Sequence, residues 1–90
     1  MLEISEELTI QNALGLHARP AASLVQTVLQ YRCDVQIGSG NHRVNAKSIM
    51  GLLTLAAAHG SRLVVTCRGE DAQAAMDAVR TLIESGFGEE

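Results

Sequence analysis

The chain has 90 residues, 47% of them hydrophobic and 19% charged, so we expect one domain over residues 1–90 with an aliphatic core. Aromatic residues make up only 2% and the net charge is −3, which argues against stacking on bases and against a nucleic acid partner. No apolar run approaches the ~18 residues of a membrane helix, and the acidic N-terminus does not resemble a signal peptide, so we expect a cytoplasmic protein without membrane insertion.

The first elements along the chain are a predicted strand and a predicted helix. Residues 8–11 alternate apolar and polar side chains, as a half-buried strand does, and the strand could begin as early as Ile4. After a loop over 12–16, the apolar spacing predicts a helix over 18–30. Pro20 falls in its first turn, where a missing amide donor costs no hydrogen bond.

A hairpin and a second helix follow. Residues 33–37 alternate cleanly, a Gly-rich turn occupies 38–41, and 42–45 can return as a short strand. Ser48 is well suited to cap a helix. The run 49–58 is apolar nearly all round, and we expect the second helix to extend along it.

The last elements complete a β-α-β-β-α-β-α order. Residues 63–67 are rich in β-branched side chains and predict a central strand. The acids Glu70 and Asp71 suit the start of a third helix, and Gly86 suits its end. This order predicts an α+β fold in which one sheet carries helices on one face. The core stripe of the third helix is Ala72, Ala75, Met76, Val79, Leu82 and Ile83.

The charge is distributed unevenly along the chain. Residues 1–7 carry a net charge of −3 and residues 70–90 carry −5, whereas residues 8–69 hold six basic residues against one acid, a net +5. A basic centre between acidic ends could meet an acidic partner or hold an anion.

The strongest candidate for a functional site is His17-Ala18-Arg19, at the start of the predicted helix. The first amides of a helix lack intrahelical partners and carry partial positive charge, so phosphate binds well there. An imidazole at this place could hold a phosphoryl group, with the amides of Ala18 and Arg19 and the guanidinium of Arg19 neutralising its oxygens. The alternative is that His17 only caps the helix and Arg19 is solvated.

A second candidate feature is the helix that begins at Ser48. An apolar surface on every side cannot be buried entirely in so small a domain, so part of this helix should form a docking patch. The alternatives are that Ser48 is a plain cap and that the other helices cover this one. His42 and His59 lack ligand partners at metal spacing, so we expect no metal site.

Two segments together resemble a known family. Residues 14–21, LGLHARPA, resemble the active-site signature of HPr, the histidine-containing phosphocarrier of the bacterial phosphotransferase system. Residues 47–52, KSIMGL, resemble the second HPr signature, which surrounds a regulatory serine. The segments lie at the family's separation, and the resemblance covers essentially the whole chain. It implies an HPr-like open-faced sandwich, with three helices on one face of a four-stranded antiparallel sheet.

The resemblance also implies a role for each signature. Enzyme I, charged by phosphoenolpyruvate, would pass a phosphoryl group to Nδ1 of His17, which would pass it to an enzyme IIA component. Arg19 matches the arginine that helps to balance the phosphoryl charge. Such a chain is a phosphorylated intermediate rather than an enzyme, needs no cofactor, and is expected to be a monomer.

Regulation and docking are implied in the same way. Ser48 matches the serine that an HPr kinase modifies in many bacteria, and a transcription regulator is a possible further partner. If the strands pair as in the family, Cys33 and Cys67 should lie near each other, buried and reduced. The residues that match the family's docking surface, together with the neighbouring lysine, are Leu16, Ala22, Lys47, Ile49, Met50 and Leu53.

The branch of the family stays open at this point. Leu14 stands where sugar-branch members often have a polar residue, and 12–15 and 83–90 look more like NPr, the nitrogen-branch homologue. Residues 47–50, however, are typical of kinase-regulated HPr. The leading hypothesis is a carrier, the second is a regulatory module that docks through the Ser48 helix, and a small hydrolase has no assembled site.

Overall fold

The computed structural model describes residues 2–89, and its strands and helices follow the predicted β-α-β-β-α-β-α order. No helix in this part of the chain is long and apolar enough to cross a membrane. A short 3₁₀ turn after the third helix was not predicted. The elements are β1 (Glu3–Thr9), α1 (Ala18–Val28), β2 (Asp34–Ser39), β3 (His42–Asn45), α2 (Ile49–Thr54), β4 (Arg62–Arg68), α3 (Ala72–Glu84) and the 3₁₀ turn (Gly86–Gly88).

The four strands form one antiparallel sheet in the order β1-β4-β2-β3, which confirms the predicted sheet. Leu8 of β1 lies opposite Leu63 of β4, and Val35 of β2 lies opposite Cys67 at the other end of β4. The connections from β1 to β2 and from β3 to β4 each contain a helix, as a crossover between parallel strands usually does. The edge strands are β1 and β3.

Only one face of the sheet is buried. Along β4, Leu63 and Val65 are fully buried, whereas Val64 between them is 44% exposed. This alternation is typical of an antiparallel sheet with one face covered and one open to solvent. Helix α3 packs against β1 and β4, α2 packs against β3, and α1 packs against both other helices. The predicted stripe of α1 is buried as expected, at Ala21, Leu24, Val25 and Val28.

Helix α2 is shorter than predicted. It ends at Thr54, and Ala56 takes a positive φ of 49°, so the prediction of a helix over 49–58 is wrong. The cause is a tertiary hydrogen bond, because the carbonyl of Ala57 accepts the amide of Leu16 at 2.8 Å. The apolar residues after α2 therefore support the loop that precedes α1 rather than continuing a helix.

The two cysteines lie together, as predicted. Cys33 and Cys67 are buried and free, and Val35, the partner of Cys67 across the sheet, is two residues from Cys33. Burial is the main cause that raises the pKa of Cys67 to about 12, and the neighbouring Cys33 thiol contributes to the rise. Burial likewise raises the pKa of Cys33. Both side chains therefore behave as small core residues rather than as reactive thiolates.

Asp71 stands at the start of α3, as predicted, but its side chain does not cap that helix. Its carboxylate instead accepts the backbone amides of Arg32 and Cys33 at 2.8 and 2.9 Å. These hydrogen bonds, that of Arg32 first, lower the pKa of Asp71. The acid thereby fixes the turn that leads into β2.

Candidate functional site at His17

His17 is the N-cap residue of α1. Its backbone is extended (φ −83°, ψ −171°), and its carbonyl accepts the first intrahelical hydrogen bond, from Ala21 at 3.0 Å. Its side chain makes no capping hydrogen bond. Within residues 2–89, the amides of Ala18 and Arg19 consequently have no acceptor, and the third helical residue, Pro20, has no amide hydrogen at all.

The loop before His17 is held tightly against the chain that follows α2. Gly15 has a φ of +71°, and a Cβ at this position would lie 2.4 Å from the carbonyl oxygen of Ala57. Only glycine combines that backbone with so close an approach. The carbonyl of Gly15 accepts the amide of His17 at 3.0 Å, so the loop fixes the position of the His17 backbone.

The His17 ring is bound by a residue from the far end of the chain. Its Nε2 lies 3.1 Å from each carboxylate oxygen of Glu89. A carboxylate only accepts hydrogen bonds, so Nε2 carries the proton and the lone pair of the neutral ring is at Nδ1. Within residues 2–89, Nδ1 has no hydrogen-bond partner. The His17 side chain is 37% exposed and that of Glu89 14%.

Glu89 is itself held in place. The Asn12 side chain donates one hydrogen bond to a carboxylate oxygen of Glu89 at 2.9 Å and another to the carbonyl of Gly15 at 2.7 Å. The hydrogen bond from His17, then that from Asn12, and the charge of Arg19 together lower the pKa of Glu89. Glu89 is therefore a fixed anion beside the ring at neutral pH.

His17 and Arg19 share an open hollow of about 460 Å³. Arg19 is solvent-exposed, and Leu14, which lines the same hollow, is 75% exposed. The hollow is thus a surface site with positive groups at α1, a nucleophilic ring nitrogen and an exposed apolar rim. The sequence-predicted pair His17 and Arg19 is brought together here.

The second predicted feature, Ser48, has a different environment. Ser48 is the N-cap residue of α2, and its Oγ accepts the amide of Gly51 at 3.0 Å, which confirms the predicted cap. Next to it, Lys47 is half-buried and donates to the carbonyl of Tyr31 at 3.4 Å. No hydrogen bond within residues 2–89 joins Ser48 to His17.

The candidate docking residues are only partly at the surface. Met50 is 73% exposed, Ile49 40% and Leu53 36%, whereas Leu52 on the same helix is fully buried. Ala22 is half-buried. The prediction that Leu16 contributes to the surface is wrong, because its side chain is 4% exposed and belongs to the core. The other two histidines are exposed as predicted: His42 bonds to Thr54, and His59 to the carbonyl of Gln11.

Sequence reasoning missed two residues of the site, Asn12 and Glu89. Glu89 counted only as part of an acidic tail, and it lies 72 residues from His17. Asn12 counted as a loop residue after β1. A local pattern contains no signal that pairs either residue with the histidine, so both had to come from the three-dimensional structure.

Comparisons with known proteins agree on one family. Residues 4–85 match the family model described as the PTS HPr component phosphorylation site. The phosphocarrier protein HPr of Xylella fastidiosa is 44% identical over 87 residues, which are 97% of this chain and 98% of that protein. The phosphocarrier protein NPr of Shewanella violacea is 35% identical over 89 residues, 99% of this chain and 98% of that one. The crystal structure of HPr from Thermoanaerobacter tengcongensis superposes with a TM-score of 0.90 at 42% identity, covering 100% of this chain and 99% of that one.

Proposed function

The chain belongs to the HPr family of phosphocarrier proteins of the bacterial phosphotransferase system, and on that premise we propose that His17 accepts and passes on the phosphoryl group. The observation that carries the proposal is the arrangement of the His17 ring. Glu89 occupies Nε2 at 3.1 Å, which leaves the Nδ1 lone pair available at the surface. The arrangement supports attack by Nδ1 on an incoming phosphorus atom.

The start of α1 supplies the electrostatic environment for the product. As the bond between Nδ1 and phosphorus forms, the bond from phosphorus to the donor breaks and its electron pair stays on the donor. The free amides of Ala18 and Arg19 and the positive end of the helix dipole would stabilise the phosphoryl oxygens. The guanidinium of Arg19 would add a charge-assisted contact. Glu89 would stabilise the positive charge that the ring acquires.

We propose that the donor is enzyme I, charged by phosphoenolpyruvate, and that the acceptor is an enzyme IIA component. A carrier with an exposed site needs no deep cleft, because each partner protein can cover the site when it docks. The exposed side chains of Ile49, Met50 and Leu53, with Lys47 and Ala22 beside them, would form the surface on which both partners dock in turn. Exposed methionine suits a surface that meets several partners, because its side chain adapts in shape.

Ser48 is our proposed site of regulation. Phosphorylation would place about −1.5 to −2 charges on the residue that starts α2, next to the exposed apolar patch. The helix N-terminus tolerates negative charge, so the domain should remain folded. An acidic partner surface would be repelled, and transfer through His17 would slow.

A second candidate function is a regulatory module that docks through α2, as in the nitrogen branch of the family. The observations that favour it are the 73% exposure of Met50 and the similarity to the NPr of Shewanella violacea. Because a carrier can also serve a regulatory branch, the two functions are compatible.

The test of the carrier function is phosphoryl incorporation. The protein is incubated with enzyme I and labelled phosphoenolpyruvate, and an acid-labile, base-stable adduct is measured. We expect full labelling of wild type and of the matched controls His42→Ala and His59→Ala, and none of His17→Ala. No label on wild type, or full label on His17→Ala, would contradict the proposal.

A further inference from the structure

Asn12 is the one polar side chain among residues 2–89 that is essentially fully buried, at 1% exposure. It lies in the loop between β1 and α1, two residues after the buried Ile10. Burial of a polar side chain is costly unless its groups find partners, so such a residue requires an explanation.

Both donors of the Asn12 amide are used. One proton of Nδ2 points to the carbonyl of Gly15 at 2.7 Å and the other to Oε1 of Glu89 at 2.9 Å. The orientation of the amide follows from these contacts, because a flipped amide would place its oxygen against two acceptors. The side chain thus joins the loop before His17 to a residue 77 positions away.

For Asn12, the two donors matter more than the acceptor. Its Oδ1 is buried and has no hydrogen-bond partner among residues 2–89. An unsatisfied buried acceptor destabilises a fold, and an apolar residue of the same shape would avoid that penalty. What an apolar residue could not do is donate to Glu89.

The two groups that accept hydrogen bonds from the Asn12 side chain also accept hydrogen bonds from His17. The carbonyl of Gly15 accepts both the Asn12 side chain and the His17 amide, and the Glu89 carboxylate accepts both the Asn12 side chain and the His17 ring. Asn12 therefore bonds the group that fixes the backbone of His17 and the group that fixes its ring.

We propose that Asn12 is a positioning residue for the phosphoryl acceptor: it holds Glu89 so that the carboxylate accepts a hydrogen bond from the Nε2–H of His17, which leaves Nδ1 as the nucleophile. This rests on the proposed carrier function. Asn12 anchors itself on Gly15 and acts on the ring through Glu89. Without the Asn12 donor, the carboxylate loses a contact that fixes its direction, and the ring is free to turn and to exchange tautomers.

The first experiment measures the tautomer directly. ¹⁵N NMR of the His17 ring in the unphosphorylated protein, at a pH where the ring is neutral, reports the fraction with the proton on Nε2. We expect wild type and the control Asn41→Leu, in the exposed β2–β3 turn, to be mainly Nε2-protonated. We expect Asn12→Leu, and the isosteric Asn12→Asp, to be mixtures of both tautomers. A tautomer fraction unchanged in both variants would overturn the proposal.

The second experiment tests whether Asn12 acts through Glu89. We expect Asn12→Leu to slow phosphoryl acceptance from enzyme I by about tenfold, by analogy with the lower end of the loss seen when an outer partner of a metal-bound histidine is removed. In a Glu89→Ala background, we expect the same substitution to slow it by less than about twofold, because the route is already broken. Multiplying effects would overturn the proposal, since they would mean that Asn12 acts through the loop alone.

The two proposals can fail separately. The tautomer measurement needs no phosphoryl donor, so it tests Asn12 even if His17 accepted no phosphoryl group. If wild type is labelled at His17 and the Asn12 variants are labelled at the same rate, the carrier function stands and the role of Asn12 is contradicted.

Discussion

Helices α1 and α2 each begin at an extended residue with a polar side chain, His17 in one and Ser48 in the other. Ser48 turns its hydroxyl back onto its own helix and accepts the amide of Gly51 at 3.0 Å. His17 turns its ring away, to Glu89, and leaves the amides of Ala18 and Arg19 without an acceptor within residues 2–89. The same local position thus closes one helix end and leaves the other open.

The difference shows how a structural cap can be told from a binding site. A capping side chain satisfies the orphan amides and makes the helix end self-sufficient. A helix end whose N-cap side chain is held elsewhere keeps its amides available for an anion. On this comparison, Ser48 stabilises α2, whereas the start of α1 is open to the phosphoryl chemistry that we propose for it.

The largest expected effect comes from breaking the loop that places His17. Gly15→Ala combines a positive φ with a Cβ 2.4 Å from a backbone oxygen, whereas Gly40→Ala has a similar φ of +59° and nothing within 4 Å. We expect both to destabilise, and Gly15→Ala to cost about 1–3 kcal/mol more, because only it must also displace packed backbone. Chemical denaturation of the two variants measures this difference. Equal midpoints would show that the loop is not constrained as described.

The next largest effect concerns the start of α2, where Ser48 caps the helix. Ser48→Asp places a negative charge at the start of α2, beside the exposed Met50 and Ile49. We expect acceptance of the phosphoryl group from enzyme I to slow by about tenfold while the fold is kept, because charge repulsion acts on docking. Phosphoryl-transfer assays quenched at successive times measure the rate of acceptance, and circular dichroism shows whether the variant is folded. If Ser48→Asp accepts the phosphoryl group as fast as wild type, docking does not involve this surface.

A smaller effect on stability distinguishes the two N-cap residues, Ser48 and His17. Ser48→Ala removes the acceptor of the Gly51 amide, so we expect a loss of about 1 kcal/mol in the free energy of unfolding with unchanged phosphoryl transfer. His17→Ala removes no capping bond, so we expect the reverse: transfer is abolished, and stability stays within about 0.5 kcal/mol. Urea denaturation measures the stability of both variants, and the transfer assay measures their phosphoryl acceptance. A His17→Ala variant that is the less stable of the two would contradict the comparison.

The smallest effect is a pH dependence at the open helix end. Hydrogen bonds from His17 and Asn12 lower the pKa of Glu89 below its ordinary 4.5, so the folded state favours the ionised carboxylate. The contact therefore contributes stability above the ordinary glutamate pKa and loses it as pH falls through the lower folded pKa. A ¹³C titration of the Glu89 carboxyl measures the midpoint. We expect a midpoint below 4.5 in wild type and a higher one in Asn12→Leu; a wild-type midpoint at or above 4.5 would be the contrary result.

The sequence predicts the strands and the serine cap of α2 well because these depend on local patterns. The alternation in β4, the turn before β3 and the serine at the start of α2 each have a physical signal within a few residues. The length of α2 was predicted wrongly, because the bond from Leu16 to Ala57 competes with helix continuation. The apolar character of Leu16 likewise does not distinguish a docking residue from a core residue.

The residues of the candidate site also fall into two groups, those that a local pattern identifies and those that it does not. His17 and Arg19 are adjacent to a predicted helix start, so spacing and resemblance identify them. Glu89 and Asn12 come from the 3₁₀ turn's end and the β1–α1 loop, which meet only when the chain folds. Residues that orient a reacting group from another element leave no periodicity behind, and only the structure identifies them.

The central claim is that Glu89 holds Nε2 of His17 and thereby makes Nδ1 the phosphoryl acceptor. The most direct measurement is ³¹P–¹⁵N NMR of ring-labelled protein after incubation with enzyme I and phosphoenolpyruvate. The account predicts one phosphohistidine, with phosphorus coupled to Nδ1 of His17. Phosphorus coupled to Nε2 of His17, or carried on another residue, would contradict it.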